Sequence, residues 1–310
     1  MEGVRVRITD VAARDGLQNE PGVIATAEKV RLVGLLERAG VDEVEVTSFV
    51  SPRWVPQLGD AEGVLEGLGT GGGGVRSVLV PNEKGFERAL AFHRRGMPLK
   101  IALFTAASET FAQKNTNASI AQTIERFRPI VPRAVEAGMD LRFYVSCAVA
   151  CPFEGAIAPW AVRRVVDQLL ALVDDEDERL AVDIDLGDTI GVGHPHEIEA
   201  LLNEFDDGMR EQITLHLHDT FGRAASCVLA GLNAGVISFD GSAGGLGGCP
   251  YASTPGRRAP GNISTEVLVR AVHGAGFVTR VDLEALAEAG AYARQIVERA
   301  RAVAASEGGG

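Results

Sequence analysis

The stretch ITLHLHDTFGRAASCVLAGLNA, Ile213 to Ala234, holds one complete strand, loop and helix. Ile213 to His218 alternates aliphatic and polar residues with the period of two that belongs to a β-strand. Arg223 to Ala234 then carries its apolar residues at helical spacing and stops at Gly235. Working outward, the same alternation of a short Val/Ile/Leu-rich run and a longer helical segment repeats about eight times, which is the signature of βα units. The strand candidates are Val4 to Thr9, Glu43 to Thr47, Arg76 to Val80, Lys100 to Phe104, Leu141 to Cys147, Ala181 to Leu186, Ile213 to His218 and Gly235 to Asp240. Helices are expected over Thr26 to Ala39, Glu83 to His93, Ile120 to Ala137, Pro159 to Val173, Pro195 to Asp206 and Arg223 to Ala234, several of them stopping at a glycine such as Gly40 or Gly138. The expected architecture is a (β/α)8 TIM barrel with additional C-terminal helices near Thr265 to Gly274 and Asp282 to Ala305. Spacing alone leaves an open doubly wound sheet as the alternative.

The composition is that of an ordinary soluble globular protein, with 46% hydrophobic and 23% charged residues in 310. We read one domain: a barrel over residues 1–240, a glycine-rich loop over 241–262 at the expected active-site end and C-terminal helices over 263–305. Glu2, Arg5, Arg7 and Asp10 interrupt any apolar leader, and no run approaches the roughly 18 apolar residues of a membrane span, so the expected location is the cytoplasm. A net charge of −12 speaks against nucleic acid or a membrane surface as partner, because both reward a basic face. Cys147, Cys151, Cys227 and Cys249 form no CxxC pair and no disulfide framework, so reduced thiols are expected. The run Gly69 to Gly74 reads as a flexible connection, since a strand rather than a helix follows it, and Asp174 to Glu178 reads as a solvated helix end.

In a barrel of parallel strands, chemistry sits at the C-terminal ends of the strands. The first strand runs into a dense polar segment, Arg14-Asp15-Gly16-Leu17-Gln18-Asn19-Glu20. The seventh ends in His216 and His218, whose i and i+2 spacing points both imidazoles to one face, close enough to share an ion. A carboxylate from the first strand would complete a nitrogen and oxygen set suited to Mg²⁺, Mn²⁺, Zn²⁺ or Fe²⁺. The eighth unit is followed by Gly241 to Tyr251, which presents Cys249 on a glycine-rich loop, as a lid carrying a proton donor would.

RDGLQNE (Arg14 to Glu20), EVTSFVSP (Glu45 to Pro52), YVSCAVACPFEG (Tyr144 to Gly155), LGDTIGVG (Leu186 to Gly193), HLHDTFG (His216 to Gly222) and GGLGGCPY (Gly244 to Tyr251) together resemble the 3-hydroxy-3-methylglutaryl-CoA lyase family of the DRE-TIM metallolyase superfamily. The resemblance runs through nearly the whole chain. It implies retro-Claisen cleavage of an acyl-CoA, Mg²⁺ or Mn²⁺ as cofactor, and a homodimer. On the matching positions it implies Asp15, His216, His218 and Asn262 as metal ligands, with Asp15 or His216 taking the hydroxyl proton. It further implies Arg14 as the group that meets enolate charge and Cys249 as the catalytic thiol. Gln18, Glu45, Ser48, Tyr144, Asp188, Thr189 and Glu266 fall around the family's site as substrate or supporting positions.

The chain also departs from the family pattern. The stretch from Tyr251 to Asn262 is several residues longer than the family's connection and adds Arg257 and Arg258, while Asp185 stands where a small neutral residue is expected. Those departures bear on the acyl group rather than on the metal. A condensing synthase or 2-oxo acid aldolase of the same superfamily, and a metal-binding barrel without catalysis, are the competing readings.

Overall fold

The structure, a computed structural model, describes residues 3–173, 181–248 and 261–307. Its strands are β1 (Arg7–Asp10), β2 (Glu43–Ser48), β3 (Val75–Leu79), β4 (Lys100–Ala106), β5 (Leu141–Ser146), β6 (Ala150–Cys151), β7 (Gly155–Ala156), β8 (Val182–Asp188), β9 (Ile213–Leu217) and β10 (Ser238–Gly241). Eight of them close a parallel barrel in the order β1-β10-β9-β8-β5-β4-β3-β2, and β6 with β7 forms a separate antiparallel hairpin. The barrel, not the open sheet, is therefore the architecture. Around it lie α1 (Thr26–Arg38), α2 (Ala61–Leu68), α3 (Glu83–Arg94), α4 (Glu109–Thr116), α5 (Ile120–Phe127), α6 (Val131–Glu136), α7 (Pro159–Leu170), α8 (Pro195–Leu202), α9 (Asp207–Arg210), α10 (Ala224–Asn233), α11 (Thr265–Gly274) and α12 (Leu283–Glu307). Among the described residues no helix is long and apolar enough to cross a membrane.

The single helix expected over Ile120 to Ala137 is two. Pro129 has no N–H to continue the ladder of α5, and α6 restarts with Pro132 in its first turn. The glycine run after α2 is also less loose than its composition suggests. Arg76, on β3, donates from Nη1 to the carbonyl of Gly69 at 2.6 Å and pairs through Nε with Glu37 of α1 at 2.7 Å, while Nη2 bonds the carbonyl of Gly71. The acidic run at Asp174 lies outside the described residues.

Strand alternation sorts the barrel into two environments. Ile101, Leu103, Phe143, Val145, Ile184 and Leu186 are buried against the helices. Their sequence neighbours point the other way, into the barrel, where branched aliphatic side chains would be usual. Here that interior is charged. Lys100 pairs with Glu43 at 2.9 Å and with Asp183. One level up, Arg142 donates from Nη1 to Asp240 at 2.9 Å and from Nη2 to Thr9 at 2.9 Å, spanning the barrel from β5 to β10 and β1, and Asp185 lies 3.5 Å away. Arg142 is 1% exposed, so its carboxylate partners depend on it for compensation.

Replacing one member of a buried ion pair leaves the other charge stranded, which costs far more than the pair itself contributes. Arg142→Met should therefore lower the unfolding free energy by about 3–5 kcal/mol, read by urea denaturation. A loss below about 1 kcal/mol would contradict this account of the interior.

Candidate active site

The charged column rises to a cluster at the C-terminal mouth of the barrel. After β1 the chain makes one wide turn, closed by the N–H of Gly16 bonding the carbonyl of Val11 at 3.1 Å, five residues back. Such turns recur at functional sites because they swing successive side chains toward one point. Here they are Arg14 and Asp15. Gly16 lies close against the loop after β10, since a Cβ there would lie 3.0 Å from both Leu246 and Ser242 and would force them to give. Motif and loop are thus packed against each other.

Asp15, His216 and His218 bring their donor atoms within 4.8 Å of one another. Asp240, register partner of His216 on the neighbouring strand, accepts from His216 Nδ1 at 3.1 Å, which leaves Nε2 to face the mouth. Burial alone would raise the Asp240 carboxyl, but Arg142 and then His216 outweigh it and hold it well below the ordinary carboxylate range. His216 Nε2 lies 3.3 Å from His218 Nε2. Burial, and then His216, push His218 down to about 4, so its ring is neutral at neutral pH and can offer a lone pair. A divalent cation fits that arrangement, with Asp15 as its carboxylate. Asp185, His216 and Asp240 make a second close trio, but the guanidinium of Arg142 already supplies the positive charge there.

Arg14 donates through Nε to Glu45 at 2.5 Å and through Nη1 to Asp15 at 2.8 Å, and its guanidinium lies 5.5 Å from the centre of the Tyr144 ring. Burial opposes its charge, but Glu45 and then Asp15 overcome that and keep it fully protonated. Asp15 is raised by burial yet ends below its ordinary value, because Arg14 and the two imidazoles more than compensate. Gln18 donates to Asp15 at 2.8 Å, and Asn262 donates to Asp15 at 2.8 Å and to the carbonyl of Leu246 at 3.1 Å. Tyr144 donates to Glu45 at 3.2 Å. Arg14, Asp15, Gln18, Glu45, Tyr144, His216, His218 and Asn262 are thus brought together.

Ser48, Asp188, Thr189 and Glu266 are placed one layer out, each fastening backbone. Ser48 Oγ accepts from the N–H of Val50 at 3.1 Å, and Thr189 Oγ1 from that of Cys147 at 2.7 Å. Asp188, raised by burial to about 6, accepts from Val192 and Gly193 at 3.2 and 2.8 Å. Glu266 takes the N–H of Gly244 at 3.1 Å, at the base of the loop after β10. Cys249 and the lengthened stretch 251–260 lie outside the described residues. Asp185 is no loose charge: burial and the negative Asp240 push it well above the usual range, and Arg142 Nη1 lies 3.5 Å from its Oδ2.

Three positions that shape the site went unread in the sequence. Asp240 and Arg142 carry the signal used for the histidines, a polar residue at an inward position of an apolar strand. Asp10 is the third. Raised by burial to about 7, it accepts from Ala12, Ala243 and Thr265 at 2.8, 2.9 and 2.6 Å, tying β1 to the stem of the glycine loop. That stem is held against the site at Gly247, where a φ of +101° and a Cβ position 2.7 Å from Asn262 Nδ2 leave space only for glycine.

Residues 5–292 match the model of the HMGL-like family. The hydroxymethylglutaryl-CoA lyase of Pseudomonas mevalonii is 44% identical over 289 residues, covering 92% of this chain and 90% of that protein. Among solved structures, the HMG-CoA lyase of Brucella melitensis superposes with a TM-score of 0.86 at 41% identity, covering 96% of this chain and 100% of that one. An HMG-CoA lyase from Acenitobacter baumannii, solved in complex with coenzyme A and 3-methylmalate, gives 0.83 at 33% identity, over 95% of this chain and 92% of that one.

The hydrogen bond from His216 to Asp240 fixes the tautomer that offers Nε2, and loss of such an outer partner typically costs about 10–100-fold in metal affinity. Asp240→Asn should weaken Mn²⁺ binding by that factor, read by calorimetry on the metal-free protein. Unchanged affinity would remove Asp240 from the site.

Proposed function

The chain belongs to the HMGL-like family, and on that premise we propose that it cleaves (S)-3-hydroxy-3-methylglutaryl-CoA to acetyl-CoA and acetoacetate by a metal-dependent retro-Claisen reaction. The observation that carries the proposal is the meeting of Arg14 with the trio Asp15, His216 and His218 at the barrel mouth. Asp15, His216, His218 and the Asn262 carbonyl oxygen would hold Mg²⁺ or Mn²⁺. Bound there, the ion would acidify the tertiary hydroxyl and neutralise anionic oxygens of the substrate.

The chain's own groups do the rest. Breaking the C2–C3 bond sends its electron pair onto C2, so charge develops on the thioester oxygen. Arg14 is built to meet it: Nε and Nη1 are committed to carboxylates, leaving Nη2 as the edge for a substrate oxygen. Glu45, with Tyr144 behind it, keeps the guanidinium in that plane. Asp15 is the proposed acceptor of the hydroxyl proton, and the thiol of Cys249 the proposed donor that returns a proton to C2. Thr189, Asp188 and Glu266 support the loops that ring the mouth. The same proposal takes the chain to act as one domain, in the cytoplasm and as a homodimer, as expected from the sequence and the family.

The test is a set of 3-hydroxy-3-alkylglutaryl-CoA thioesters supplied with Mg²⁺ or Mn²⁺, products identified by mass. Acetyl-CoA and acetoacetate from the methyl compound are expected, and Arg14→Met should reduce kcat by about 100-fold or more. Inactivity on the whole set, with turnover of acetyl-CoA and a 2-oxo acid instead, would overturn the assignment.

A further inference from the structure

Polar side chains enter the barrel from all eight strands, but on two of them they stop low. On β3 and β4 they end at Ser77 and Lys100, and the inward positions above are Leu79, Ala102 and Phe104. Register fixes that direction. Ala102 pairs with Arg142 and Phe104 with Tyr144, and the Arg142 side chain crosses the interior to Asp240. Leu79 pairs with Ala102. With Tyr144 these residues form a small apolar cluster separate from the main core. Tyr144 joins it to the charged groups, for its ring stands edge-on to that of His216 with centroids 6.1 Å apart. Phe104 is half-buried although both its chain neighbours, Leu103 and Thr105, are buried. Its accessible part therefore faces the open mouth.

We propose that Leu79, Ala102 and Phe104 form the wall that receives the branch on the substrate's C3 carbon, and that Phe104 sets how long that branch can be. This rests on the lyase reading above. Around C3, the hydroxyl belongs with Asp15, His216 and His218, and two further substituents are arms that end in a thioester and a carboxylate. The branch is what remains to face the wall. Leu79, Ala102 and Phe104 offer no hydrogen-bond donor and no charge, so a hydroxylated or carboxylated branch would lose its hydration there without replacement. An aliphatic one gains by leaving water.

Differences of one methylene in an apolar pocket are worth about 10–200-fold in kcat/KM. With Mg²⁺, the wild-type protein should prefer the 3-methyl to the 3-propyl thioester. Phe104→Ala should raise the propyl-to-methyl ratio of kcat/KM about tenfold or more, with Phe104→Leu in between. Calorimetry with 3-methyl- and 3-propylglutaryl-CoA, which lack the hydroxyl and are not cleaved, should show the same shift in relative Kd. Circular dichroism establishes that each variant is folded, and Phe104→Leu carries the test if Phe104→Ala is not. Turnover with both ratios changed less than about twofold overturns the wall and leaves the lyase reading standing. Wild-type inactivity toward both thioesters removes the lyase reading and this inference with it.

Discussion

Arg142, held between Asp240, Asp185 and Thr9 in the centre of the barrel, is the constraint on which the site depends. A guanidinium almost sealed from water is tolerable only if its charge is compensated, and compensating it draws β1, β5, β8 and β10 to a common point. The same bond keeps Asp240 ionised, which sets the His216 tautomer and aims Nε2 at the mouth. Fold and chemistry therefore share one network. An aliphatic interior would close the barrel equally well but would leave nothing to orient a ligand.

The polar segment after β1 distributes this order to the surroundings. Arg14 and Asp15 enter the site, Gln18 steadies Asp15, and Asn19 donates to the carbonyl of Gly248 at 3.3 Å in the loop opposite. Glu20 pairs with Arg301 of α12 at 2.7 Å, so the C-terminal helix is fastened to the same motif. Two residues later, Gly22 lies against the backbone of Ala300, with no space for a Cβ. Neighbouring residues in one short sequence thus reach the histidine pair, the loop and the last helix, which explains why the motif is so dense in polar groups.

The barrel was legible because the apolar residues at period two are the outward faces of buried strands, and the helices follow at regular spacing. The histidine pair was legible for the same reason, two imidazoles at positions of equal parity. What escaped the sequence depended on pairing across the barrel. Arg142 and Asp240 are separated by 98 positions, and no local pattern announces that they meet. The break between α5 and α6 was visible in Pro129 and Pro132 but was outweighed by the apolar spacing around them. Asp188 and Glu266 kept their places near the mouth, yet their oxygens are directed at backbone N–H groups, a choice set by loop conformation rather than residue type.

The small apolar cluster on β3 and β4, set in an otherwise charged interior, matches a substrate that is itself divided, with polar arms and a hydrocarbon branch on one carbon. The central claim, that cleavage proceeds through charge on C2 and ends with its protonation, is tested most directly by running the reaction in deuterium oxide. Acetyl-CoA carrying one solvent-derived deuterium in its methyl group is the predicted result. Acetyl-CoA with an undeuterated methyl group, or the absence of acetyl-CoA, would contradict it.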